Sequence, residues 1–100
     1  MSSSNIQAVT KTVDAHAVAG RTRVAGIYFT NTATAGTITL RNGSVVGATA
    51  LLTLTTAAVA GATDILLPDM GILFDSGVFI DVSGVEITSV TLFFYGGAAQ

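Results

Sequence analysis

Cysteine is absent from the 100 residues, so no crosslink stabilises the fold and no thiolate is offered to a metal. Charge is nearly absent as well. Four Lys and Arg and six Asp and Glu make up 10% of the chain, where a typical soluble domain carries about 25%. The net charge of -2 gives no electrostatic reason to expect nucleic acid as a partner. A single histidine, His16, leaves a transition-metal site with too few ligands. The opening residues, Met1-Ser2-Ser3-Ser4-Asn5, lack the basic stretch and apolar core of a secretory signal. The uncharged run between Arg41 and Asp64 has the length of a membrane span. It is diluted by Gly43, Gly47 and Gly61 and by Thr49, Thr53, Thr55 and Thr56, so no membrane span is expected.

Half of the residues are apolar, and much of the rest is Thr, Ser and Gly. A folded monomer of this mass exposes about 5,300 Å². Ten charges do not cover such a surface, and burial between chains is the simplest resolution. The length allows one domain. The expected division is a flexible arm over 1–5, a β-sandwich over 6–96 and a short tail over 97–100.

Period-2 alternation dominates the pattern. Ile38 and Leu40 alternate with Thr37, Thr39 and Arg41. Val78, Ile80 and Val82 share one face of a strand, and Ala50, Leu52 and Leu54 share a face of another. Ala25, Ile27 and Phe29 fall on one side of a strand over 23–30, with Val24, Gly26 and Tyr28 on the other. In the last strand, over 86–95, Val90, Leu92 and Phe94 oppose Thr91, Phe93 and Tyr95. Further strands are expected over 6–13 and 63–67, and an irregular crossing with a short strand over 14–20. Asn42-Gly43 predicts a tight hairpin with a brief return at Ser44-Val45-Val46. Asp75-Ser76-Gly77 predicts a second hairpin joining arms over 71–74 and 78–82. About eight short strands with regular turn signals indicate an all-β, single antiparallel sandwich of jelly-roll-like type.

The strand faces opposite these core rows are greasy, where a solvated sheet carries polar groups. Tyr28, Leu51, Leu66, Phe79, Phe93 and Tyr95 lie there. The candidate oligomer and partner interface is Tyr28, Leu51, Phe79, Phe93 and Tyr95, with Arg21 and Arg23 placed to meet an acidic group. No catalytic constellation emerges. Asp14 and His16 are two apart and would form half of a metal site or a base with its orienting carboxylate. Asp64, Asp69, Asp75 and Asp81 lack the spacing of a calcium loop. The Ser residues lack a partnered His, and the Gly-rich segments lack a phosphate-loop lysine. No enzyme, cofactor or metal is expected.

The stretch Gly71 to Val82, the Ser83-Gly84 turn and the ending Phe93-Phe94-Tyr95-Gly96 resemble small virion proteins of tailed bacteriophages. The segment Ile27-Tyr28-Phe29-Thr30-Asn31 followed by Gly36-Thr37-Ile38-Thr39-Leu40-Arg41-Asn42-Gly43 is similar too. The resemblance implies a jelly-roll-like sandwich that assembles as a homotrimer and binds the major capsid or other virion proteins, as a head decoration or accessory protein. It implies a virion location after synthesis in the host cytoplasm, and it carries over no catalytic residue. The alternative is a receptor- or carbohydrate-binding module of a phage tail or fibre, for which Tyr28, Phe79 and Tyr95 are the available rings.

Overall fold

The computed structural model describes residues 6–69 and 71–100. The expected arm over 1–5 lies outside the described residues. Eight strands follow in order: β1 (Gln7–Lys11), β2 (Ala15–Asn31), β3 (Thr37–Asn42), β4 (Thr49–Thr55), β5 (Gly61–Leu66), β6 (Ile72–Phe74), β7 (Gly77–Val82) and β8 (Ile87–Ala99). All pairings are antiparallel, and no helix occurs among the described residues.

β2 organises the fold. Its first part, residues 15–19, pairs with β7, which pairs with β3, which pairs with β4. Its second part, residues 22–31, pairs on one edge with β8, which carries β1, and on the other with β6 and then β5. Two layers result, β1-β8-β2-β5 with β6 beside β2 next to β5, and β2-β7-β3-β4 with the end of β8 on the other edge of β2, and β2 runs through both. This is the jelly-roll arrangement of an antiparallel sandwich. The molecule is 21 Å across its thinnest axis, as two layers stacked about 10 Å apart require.

Two neighbouring strands turn the corner between layers together, and both do so at glycine. Gly20 has φ +84° in β2, and Gly96 and Gly97 have φ +70° and +66° in β8, where Gly96 pairs with Thr22. β-Branched or bulky residues rarely adopt such dihedrals, so the bend is written by residue type. The Thr22 hydroxyl donates to the Gly20 carbonyl at 2.8 Å and closes the corner. β8 therefore continues into the second layer, pairing Ala98 with Ala19 and Ala99 with Val18. Residues 97–99, expected as tail, are strand, and the Gln100 amide still donates to the Ala17 carbonyl at 2.9 Å. Residues 15–19, expected as an irregular crossing with a short strand, are the first part of β2, with a register shift between His16 and Val18.

The predicted hairpin at Asp75-Ser76-Gly77 is not one. β6 and β7 do not pair with each other; both lie end to end against β2. The polar turn is the point where this third run changes layers. The prediction failed because the same turn chemistry serves a corner and a hairpin. Asn42-Gly43 also departs from expectation. β3 and β4 do pair, but through a loop over 43–48 in which Ser44, Val45 and Val46 form no strand. The Asn42 amide instead donates to Asp75 Oδ1 at 2.8 Å, and Asn42 Oδ1 accepts from the Ser76 amide at 2.9 Å. Its side chain thus braces the corner turn rather than a tight turn of its own.

The core lies between the layers. Ala17, Val18, Ile38, Leu40, Val78 and Ile80 come from one layer, and Val24, Ile27, Phe29, Val90, Leu92 and Phe94 from the other. Phe74 joins them, fully buried, from the corner. Val24 belongs to this core although alternation sets it opposite Ile27. A register shift between Val24 and Gly26 leaves Ala25 as an extra residue, which restores Val24 to the inner face. A second shift between Leu40 and Arg41 makes Leu51 the extra residue of β4 and leaves Ala50 exposed. Asn31, one of the few buried polar residues, holds the β4–β5 connection by donating to the carbonyls of Ala57 at 3.2 Å and Val59 at 2.9 Å.

Candidate interaction surface

The outward face of the β1-β8-β2-β5 layer follows from the register. Residues directly opposite one another share a face. Phe93 opposes Gly26 and Ala8, Tyr95 opposes Arg23, Tyr28 opposes Thr91 and Asp64, and Leu66 opposes Gly26. A β-carbon placed on Gly26 would lie 3.3 Å from Phe93 Cδ2 and 3.4 Å from Leu66 Cδ2, so both side chains lean over the bare glycine. The result is an apolar groove of about 520 Å³ with Leu66, Phe93 and Tyr95 in its walls and Asp64 at one side. Through Tyr95 it joins a smaller recess of about 230 Å³ bounded by Arg21, Arg23 and Leu73. Leu66 is 82% exposed, a large value for a leucine within a strand.

Across the same face, toward β1, the groove gives way to hydroxyls. Thr10 and Thr91 hydrogen-bond at 2.7 Å and Thr30 and Ser89 at 2.6 Å, and Thr30 also meets Thr88. These groups hydrogen-bond to one another on the surface of the sheet.

The outward face of the other layer holds Phe79, which opposes His16 and Arg41. Thr39 opposes Asp81 and Thr53, and Thr37 opposes Thr55. Leu51, at the β4 bulge, is 41% exposed. Arg41 and Asp81 form the one ion pair among the described residues. Arg41 Nε and Nη2 donate to Asp81 Oδ2 at 3.0 and 2.9 Å, and Nη1 donates to the Ala48 carbonyl at 3.1 Å. This pair spans β3 and β7 and fixes the loop after β3.

The seven candidate interface residues are therefore divided. Tyr28, Phe93, Tyr95, Arg21 and Arg23 come together on one layer. Phe79 and Leu51 lie on the other, facing away from them. Leu73 was missed, and so was the closeness of Asp64 to the groove. Neither is visible in alternation, because both depend on how β5 and β6 pair with β2.

The chemical alternatives separate further. Asp14 Oδ1 accepts from the Val82 amide at 2.8 Å, and the Nε2 of His16 is buried without a partner, so the two do not form an oriented pair. Asp64 stands on β5, Asp69 holds a turn with φ +55°, Asp75 is bound to Asn42 and Ser76, and Asp81 to Arg41. Among the described residues no three His, Asp or Glu side chains converge as metal ligands. The Asn42 amide holds the Asp75 carboxyl below its ordinary value of 3.8, helped by the Ser76 hydroxyl. The role is structural, since it steadies the corner turn. What the two outer faces can do is bury apolar area and match a few hydroxyls and charges.

No protein-family model matches the chain, and no curated protein matches it. Among solved structures it is similar to the coat protein of Tobacco streak virus, with 14% identity and a TM-score of 0.43 over 98% of this chain and 90% of that one. A likeness of that size is one of shape and carries no argument about activity.

Proposed function

We propose that this chain is a non-enzymatic structural protein of a virion, a capsid decoration or accessory protein of a tailed bacteriophage. It self-associates and binds the major capsid or another virion protein through the outer faces of its sandwich. The observation that carries the reading is the character of those faces. Both layers present large apolar side chains and paired hydroxyls outward, on a chain with ten charged residues of which one pair is internal. Burying one large apolar side chain contributes about 1.5–3 kcal/mol, so three or four on a face sustain a stable contact. The bacteriophage setting rests on the motif resemblance at residues 27–43, 71–84 and 93–96.

Sedimentation velocity of the purified protein at micromolar concentration tests self-association, and co-sedimentation with capsids of the encoding phage tests the partner. Oligomers that load onto capsids are expected. A monomer that ignores capsids would overturn the proposal, and glycan binding by such a monomer would favour the receptor-binding module instead.

A further inference from the structure

The groove on the β1-β8-β2-β5 layer carries opposite charges at its two ends. Arg23, opposite Leu73 and Tyr95, stands at one end, and Asp64, opposite Tyr28, at the other. They are separated by five residues of β2, one of which is the bulged Ala25, which places them about 13 Å apart along the strand. Neither belongs to an ion pair within the chain, among the described residues. Leu66 lies midway, opposite Gly26.

A surface with plus at one end, minus at the other and an apolar centre is complementary to itself after a half-turn. We propose that a second copy of this chain docks on this face about a two-fold axis that passes beside Leu66. The axis sets Leu66 against Leu66 of the second copy, with Phe93 and Tyr95 packed around it. It brings Arg23 of each copy over Asp64 of the other, in two equivalent ion pairs at the rim. The bare Gly26 lets Phe93 and Leu66 lie over the middle of β2, where they form the apolar centre that the two copies share. This rests on the self-association proposed above and names the surface and symmetry by which it occurs.

Charge exchange tests it. Arg23→Asp alone and Asp64→Arg alone each set two like-charge pairs across the axis, and each is expected to weaken the dimer at least tenfold in sedimentation equilibrium. An equimolar mixture of the two variants restores both pairs in one heterodimer and is expected to sediment as a dimer again. A cyclic trimer has an odd number of such contacts, and no mixture satisfies them all. Leu66→Cys gives a second readout. The chain has no native cysteine, so a residue beside the axis is expected to form a single inter-copy disulfide under mild oxidation, while Val85→Cys, 92% exposed in a loop, does not. Urea midpoints of the variants at low concentration check that each is folded. An oligomer insensitive to both charge reversals, or one whose Leu66→Cys variant does not crosslink, overturns the two-fold contact and leaves self-association standing. A wild-type monomer overturns both.

Discussion

Gly71 offers the most exacting test of how closely β6 is seated on β2. It precedes β6 with φ +81°, and a β-carbon there would lie 1.9 Å from the Val24 carbonyl oxygen and 2.9 Å from Ala25 Cα. Both are backbone atoms of β2, so nothing flexible can step aside. Gly71→Ala therefore meets two costs. The dihedral alone costs about 1–2 kcal/mol for a residue with a β-carbon. Relieving the contact requires β6 to withdraw from β2, which forfeits part of the pairing of Ile72–Phe74 with Val24–Thr22 and uncovers Phe74, at about 2 kcal/mol or more. The sum is about 3–4 kcal/mol, a large share of the 5–15 kcal/mol typical of a domain. Two other glycines separate the terms. Gly20 has φ +84° but open space around its would-be β-carbon, so Gly20→Ala is expected to cost about 1–2 kcal/mol. Gly47 has open space and no positive φ, so Gly47→Ala is expected to be neutral or stabilising by up to about 1 kcal/mol. Urea unfolding at one fixed protein concentration reads all three, because association shifts apparent stability. The reasoning is refuted if Gly71→Ala and Gly20→Ala lose stability equally.

In the core, Leu40→Ala removes a fully buried side chain from the centre of β3, and a loss of about 2–5 kcal/mol in the same assay is expected. A double-mutant cycle on Arg41 and Asp81, whose side chains are 25% and 22% exposed, should give a coupling of about 0.5–1 kcal/mol that shrinks with added salt. Asp75 has a depressed pKa in the fold, so its contribution to stability is complete above 3.8 and disappears as pH falls through the lower folded value. Asn42→Ala removes the chief cause, so the stability gap between wild type and this variant should narrow as pH is lowered through that range in urea titrations.

Strands whose alternation runs unbroken were legible. Ile38 and Leu40, Val78 and Ile80, and Val90, Leu92 and Phe94 lie in the core as their spacing requires. Alternation misled wherever one residue is added. The bulges at Ala25 and Leu51 shift parity by one, and nothing in their composition announces it. The glycines were visible, but their task was not. Gly20, Gly96 and Gly97 read equally well as ends of strands, and only their pairing across β2 and β8 shows that both strands continue. Asn42 was misread because its partners, Asp75 and Ser76, lie more than thirty residues away. The interface candidates followed the same rule. Tyr28, Phe93 and Tyr95 were placed outward by parity, which is local. That Phe79 and Leu51 belong to the opposite surface depends on which strands are neighbours, which is not.

The pairing of β1 with β8 bears on how the chain is made. Gln7 lies beside Phe94 and Lys11 beside Val90, so β1 cannot pair until β8, the eighth strand in order, has been made. β2 waits on the same arrival, since β8 covers one of its long edges. Until then the nascent chain carries open strand edges with few charges to deter mispairing. Such a topology folds slowly and is exposed to aggregation while unfinished. A chain cut short before β8 should collect in inclusion bodies rather than persist as a smaller domain.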